Sequence, residues 1–371
     1  MITIQHTADL PDTYPLERLG PLSQLLFFDI ETTGFSGDTA SLYLIGCAYH
    51  RDDNWHLIQW FADTPDSEPE LLDAFFTFLR DYSVLIHFNG DRFDLPFVLK
   101  RCRHLGLSYD FSGVTSIDIY RKIQPYRTLL GLESMKQKAI ERFLGIFRED
   151  PYSGGQLIQV YYDYLAEKNP FLYKMLILHN EEDLKGMPLI LPILSYCDML
   201  EGHFVLTAQS TRTVCDIFGN PEPLLSLIYE SPIQIPVEWS ASSGPFQLEG
   251  IRNHLTCTVA LTDSELKLFY PDYQNYYYLP AEDTAIHKSI GDFVDRTARK
   301  KATPSTCYVR RLGLFLPLTC PAETPVLKHN FKDKQSYIPY DPALFQNPDF
   351  SQNYLQGVLT FFCPKGLKAA P

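Results

Sequence analysis

The stretch Leu25-Leu26-Phe27-Phe28-Asp29-Ile30-Glu31-Thr32-Thr33-Gly34 decides how this chain folds. Four apolar residues run straight into an acid, and the pattern then breaks at Gly34, which describes a buried strand reaching its end. Side chains at i and i+2 of a strand share a face, so Asp29 and Glu31 point together while Ile30 packs behind. Two carboxylates at the end of an apolar strand are costly unless a cation neutralises them. A strand-to-turn exit with two solvated acids is the other reading open at this point.

Working outward, Leu42–Tyr49 and Trp55–Phe61 are the next strands, separated by the polar turn Arg51-Asp52-Asp53-Asn54, so an antiparallel three-stranded meander is expected. The segment from Glu70 to Arg80 places Leu71, Leu72, Phe75, Phe76 and Leu79 at helical spacing. Val84-Leu85-Ile86-His87-Phe88 follows as a short buried strand and Leu95–Cys102 as a helix, a succession that predicts an α/β domain. Ser116–Arg148 is expected to be mostly helical. Phe171–Leu194 contains a further helix that Gly186 and Pro188 interrupt or end.

Beyond about Glu201, prolines and glycines at Gly219, Pro221, Pro223, Pro232, Pro236 and Gly244-Pro245 mark a linker. The expected division is 1–200 and 201–371, in line with two domains for 371 residues. The later part reads as a smaller α+β module. It has strands Leu255–Leu261, Glu265–Tyr270 and Cys307–Leu314, a helix near Asp283–Val294 and another around Asn353–Phe361.

Hydrophobic residues make up 45% of the chain and charged ones 21%, the balance of a folded protein. No stretch reaches the roughly 18 uncharged apolar residues of a membrane span, and Met1–His6 lacks the sections of a signal peptide, so a cytoplasmic location is expected. The eight cysteines stand singly, without metal-ligand or redox spacing, and are expected to be reduced packing residues. A formal net charge of −13 argues against indiscriminate binding to a polyanion. Against that background, Lys100–Arg148 holds ten Lys or Arg and four Asp or Glu. These cations suit either solvated helix faces or a local phosphate-binding region.

Two more segments carry candidate chemistry. In Phe88-Asn89-Gly90-Asp91-Arg92-Phe93-Asp94-Leu95-Pro96-Phe97 an apolar strand meets a Gly turn and then a helix opening at Asp94, a position where a carboxylate also serves as a cap. In His179-Asn180-Glu181-Glu182-Asp183 residues four apart share a helix face, so His179 and Asp183 look into one pocket or one solvated surface. Asp183 suits a metal and His179 a proton taken from water.

The order of the three motifs, Asp-x-Glu, then Asp after Asn-x-x-x-Phe, then His-x-x-x-Asp, resembles the DEDD superfamily of 3′–5′ exonucleases. Over residues 24–198 the chain looks most like the YprB-type members of the RNase H-like superfamily. Ser116-Ile117-Asp118-Ile119-Tyr120, Gly131-Leu132-Glu133-Ser134-Met135 and Phe143–Asp150 support the likeness. One departure is that relatives carry Tyr-x-x-x-Asp or His-x-x-x-x-Asp in the third motif, whereas here a His stands at the Tyr spacing.

The resemblance implies an RNase H-like mixed sheet flanked by helices and a metal-dependent nuclease of single-stranded DNA or RNA. It implies two Mg²⁺ or Mn²⁺ ions held by Asp29, Glu31, Asp94 and Asp183, with His179 beside them. Thr32, Asn89, Phe93, Arg121 and Lys122 are the expected substrate contacts. A degenerate nucleic-acid-binding protein and a structure-specific endonuclease are the competing expectations on the same fold. In the later module, Tyr276-Tyr277-Tyr278 and Arg299-Lys300-Lys301 suit single-strand contacts or, equally, strand and core.

Overall fold

A computed structural model describes residues 1–147, 154–215, 218–321 and 325–363. It divides into two compact units, one made of Met1–Arg127, Gly131–Asp198 and Ile235–Val237, the other of Thr128–Leu130, Met199–Gln234 and Glu238–Pro371.

The first unit is built on β1 (Ile2–Ala8), β2 (Leu25–Thr32), β3 (Leu42–Arg51), β4 (Asn54–Phe61), β5 (Val84–His87) and β6 (Thr115–Asp118). They form one mixed sheet in the order β1-β4-β3-β2-β5-β6. The expected meander is present, with β2, β3 and β4 antiparallel neighbours. Its hairpin turns at Asp52 and Asp53, both at positive φ, the backbone that a two-residue turn between twisted strands requires. On the other side β2 pairs with β5, and β5 with β6, in parallel.

Parallel pairing with β5 involves only Leu25, Leu26 and Phe27 of β2. From Asp29 onward β2 therefore extends past the end of β5, at the carboxyl edge where α/β sheets open a crevice. Helices cover both faces. Phe28, on the face opposite Asp29, stacks on Phe75 of α1 (Glu68–Leu79) with ring centroids 4.9 Å apart. The helices α2 (Asp94–His104), α3 (Ile119–Ile123), α4 (Gln137–Phe143), α5 (Gly154–Glu167), α6 (Pro170–Ile190) and α7 (Leu194–Leu200) complete the order.

Two expectations need correcting here, and one helix was not expected. Ser116–Arg148 is not mostly helical: it begins in edge strand β6, whose four residues are too few to show an alternating pattern, and its helices α3 and α4 are short. Arg148 lies outside the described residues. Helix α6 runs through both Gly186 and Pro188. Pro188 sits in its final turn, where little helix follows to be broken, and its carbonyl accepts a 2.9 Å hydrogen bond from Thr13 Oγ1. Helix α5 was not anticipated, although Leu157, Tyr161 and Tyr164 are buried at helical spacing.

The second unit is richer in strands than an α+β reading suggests. The supposed linker contains β7 (Val205–Cys215), β8 (Pro221–Glu230) and β9 (Trp239–Ser243). With β10 (Phe246–Ile251) and β11 (His254–Ala260) they form a five-stranded sheet in the order β7-β8-β11-β10-β9. Pro221 and Pro223 mislead because they occupy the opening residues of β8, where a strand tolerates proline. β12 (Thr262–Phe269) belongs to a closed four-stranded barrel completed by β16 (Tyr308–Pro317), β17 (Leu327–Lys328) and β18 (Tyr337–Pro339). β13 (Tyr276–Leu279), β14 (Thr284–His287) and β15 (Lys300–Lys301) make a three-stranded sheet. The helix expected over Asp283–Val294 is mostly β14 followed by a single turn, α8 (Lys288–Gly291), and the late helix is α9 (Pro348–Phe362). No helix among the described residues is long and apolar enough to cross a membrane.

Candidate active site

Asp29, Glu31, Asp94, His179 and Asp183 line one open cleft, together with Thr32, Asn89 and Phe93. Strand β2 supplies the first two acids from one face, and a bulge between Glu31 and Thr32 ends the regular pairing there. The turn after β5 supplies Asn89 and Phe93, and α2 opens at Asp94. Helix α6 packs against β2 and presents His179 and Asp183 one turn apart.

The distances are short. His179 Nε2 lies 3.8 Å from Glu31 Oε1 and 3.5 Å from Asp183 Oδ2. One donor atom from each of these three residues falls within 4.8 Å of the others, a separation that one cation could bridge. Asp29 keeps an edge open to the cleft but is deeply packed, and its carboxyl is held well above the usual range, first by burial and then by the charges of Asp183, Glu31 and Asp94. Burial pushes Asp94 up to about 7, helped by Asp118 and opposed by the helix-end backbone. On β3 the buried Tyr43 hydroxyl is pushed well up by burial and next by Glu31. Carboxylates so crowded and poorly hydrated fit a hard divalent cation, which prefers oxygen ligands.

Two supporting networks position these acids. Asn180 Nδ2 donates to Asp29 Oδ2 at 2.8 Å, and Gln59 Nε2 donates to Asn180 Oδ1 at 2.9 Å and to the Ile177 carbonyl at 3.0 Å. Gly46 leaves room for this approach, because a Cβ there would stand 2.0 Å from Asn180 Oδ1. The second network holds the turn before Asp94. Asp118 accepts hydrogen bonds from the backbone N–H groups of Asn89 at 2.9 Å, Asp91 at 3.2 Å and Arg121 at 3.2 Å. Asn89 is at positive φ, and the Gly90 N–H donates to His87 Nδ1 at 3.1 Å. Neither Asn180 nor Gln59 was legible as a site residue, since nothing local in the sequence links them to Asp29.

A third device fixes the loop following Thr32. Arg101 Nε and one terminal nitrogen grip Glu68 at 2.6 and 2.7 Å, and its other terminal nitrogen donates to the Gly37 carbonyl at 3.1 Å. Glu68 Oε1 also accepts the Leu42 N–H at 2.9 Å. The expected substrate contacts Arg121 and Lys122 do not line the cleft. Arg121 is paired with Asp91. Much of the basic stretch is likewise engaged within the protein, Lys100 with Asp38 at 2.7 Å and Arg101 with Glu68. Sequence alone cannot tell a paired cation from one waiting for phosphate. Phe35, Phe88, Gly155 and Ile158 also line the cleft, the last two from the unanticipated α5.

A family model agrees with this architecture. Residues 26–194 match a family model described as the RNase_H superfamily. That span holds β2 to β6 and α1 to α6, and its fold is RNase H-like. YprB, an uncharacterized protein of Bacillus subtilis strain 168, is 26% identical over 169 residues, 44% of this chain and 40% of that protein. The DNA polymerase of Thermococcus aggregans is 34% identical over 94 residues, 23% of this chain and 5% of the polymerase. Among solved structures, the family B DNA polymerase of Pyrobaculum calidifontis aligns with a TM-score of 0.40 at 13% identity, covering 69% of this chain and 35% of that one. A zinc-bound E. coli ExoI–ssDNA complex aligns at 0.28 and 13%, covering 56% and 54%. The chain spans less than half the length of these curated relatives.

Proposed function

We propose that the RNase H-like domain of residues 26–194 is a metal-dependent nuclease, and that it removes nucleotides from the 3′ end of single-stranded DNA or RNA. The observation that carries this reading is the convergence of four carboxylates from three distant segments, with a histidine, on one open cleft. A retired binding fold has no use for Asp29 and Asp94 in the costly state described above.

In this reading Asp29, Glu31, Asp94 and Asp183 are the residues that would hold the divalent cations. Mg²⁺ or Mn²⁺ bound there would supply charge neutralisation at the phosphate and a water acidic enough to attack near neutral pH. His179 Nε2, 3.5 Å from Asp183 Oδ2 and 3.8 Å from Glu31 Oε1, would accept the proton of an attacking water. The water oxygen forms a bond to phosphorus, the bond from phosphorus to the 3′ oxygen breaks, that oxygen takes a proton from solvent, and a nucleoside 5′-monophosphate leaves. Thr32, Asn89 and Phe93 border the position of the terminal nucleotide. The similarity to part of a DNA polymerase is in keeping with a nucleic-acid substrate.

The test incubates 5′-labelled single-stranded DNA and RNA oligonucleotides with the protein and Mg²⁺ or Mn²⁺, beside Asp29→Ala. A ladder shortening from the 3′ end, absent with the variant, supports the proposal. Internal cuts would make the domain an endonuclease, and binding without cleavage would leave it a binding fold.

A further inference from the structure

We infer that the three-stranded sheet of the second unit carries a binding surface for single-stranded nucleic acid, centred on Phe293, Lys288 and Lys301. Residues 284–311 hold seven Lys or Arg against two Asp or Glu, in a chain whose formal net charge is −13. Tyr277 is the hub. On one side it faces Lys301 across the β13–β15 ladder, and on its ring lie the Arg299 guanidinium, 4.3 Å from the centroid, and Lys288 Nζ at 5.7 Å. Tyr276 and Tyr278 point the other way and pack with Ala285, Ala302 and Cys307, so the sheet has an aromatic core face and a cationic outer face.

Arg299 is not spare. It donates to Asp292 at 2.8 Å and to the Gly291 carbonyl, which ties the turn after α8 to the sheet. Gly291 permits the closeness, since a Cβ there would stand 2.7 Å from the Tyr277 ring. The residue that this clamp thrusts outward is Phe293, 90% exposed, with Ile290 three residues earlier 61% exposed. A phenylalanine bared in that way, two residues from the glycine that meets the Tyr277 ring, is a stacking platform near the cations Lys288 and Lys301 that share Tyr277's face. A duplex hides its base faces, so the arrangement fits an unpaired strand. An anionic membrane suits it less well, because Asp292 and Asp295 flank Phe293 and would be driven toward lipid phosphates with it.

This inference takes the identity of the polyanion from the nuclease reading, but its test needs no cleavage. Binding of a fluorescent single-stranded 30-mer is measured without metal, across a salt series, using the full chain carrying Asp29→Ala. Changing Lys288 and Lys301 together to Ala is expected to weaken binding about tenfold and to reduce the log–log salt slope by about 1.4, the share of two phosphate contacts on a single strand. Phe293→Ala, at a site too exposed to affect folding, is expected to cost at least fivefold with the slope unchanged. Affinities within twofold of the parent, or no binding of any oligonucleotide by the parent, overturn the proposal. So does loss of binding to phosphatidylserine vesicles with oligonucleotide binding intact, which would assign the surface to a membrane. Failure of the cleavage assay with this binding pattern intact would remove the nuclease reading and leave the surface.

Discussion

Asn180 Nδ2 stands 2.8 Å from Asp29 Oδ2, so the helix bearing the third motif grips the strand bearing the first. The bond orients a carboxylate of the cleft and stabilises its charged form. Without it, only burial and three like charges act on Asp29.

Replacing Asn180 by Ala should therefore weaken Mn²⁺ binding about 10–100-fold, the usual effect of removing a ligand's supporting partner. Calorimetric titration of the variant checks this, and Asn180→Ala with unaltered affinity would deny the hydrogen bond any positioning role.

The metal-free protein should be most stable under mildly acidic conditions as far as this cleft is concerned. Asp94 has a folded-state pKa near 7 against about 3.9 in an unfolded chain, so the folded state holds the proton more tightly. Its contribution is fully present below about pH 4 and is lost as pH rises toward 7, a loss on the order of a few kcal/mol. Asp29 acts in the same direction. Asp94→Asn should thus raise the Tm of metal-free protein by several degrees at pH 7.5 and hardly at all at pH 4. Thermal melts at both pH values with a chelator decide it, and an equal shift at the two would count against the titration.

Breaking the Glu68–Arg101 pair should be costly. Both side chains are buried, and removing one strands the other's charge, at roughly 3–5 kcal/mol. Arg101→Met should lower the urea midpoint sharply, and restoring much of that loss with Glu68→Gln added would identify the orphaned carboxylate as the cause.

His179→Ala should reduce single-turnover cleavage about 10²–10⁴-fold while changing Mn²⁺ affinity only a few-fold, because a proton acceptor contributes to the rate rather than to ion binding. His179→Tyr separates the two third-motif chemistries. If both variants cut at the parental rate, the histidine has no part in proton transfer.

The sequence made the near side of this site readable because strand and helix periodicities are local. Asp29 and Glu31 two apart, and His179 and Asp183 four apart, announce a shared face before any fold is known. What it could not reveal was pairing across the fold: Asn180 with Gln59, Asp118 with the Asn89 turn, and Arg101 with Glu68 are each joined only by the folded sheet. The basic stretch was legible only as charge for the same reason, since the acids that pair with Lys100, Arg101 and Arg121 were not visible. In the second unit, a strand that begins with proline resembles a linker until its partners are known.

The most direct test of the account is the stoichiometry of Mn²⁺ binding to the full chain, read by calorimetry in parallel with electron paramagnetic resonance. The carboxylate cluster predicts two ions per chain for the parent, their affinity reduced at least tenfold in Asp29→Ala and in Asp183→Asn. No binding by the parent, or binding that neither substitution disturbs, would contradict it.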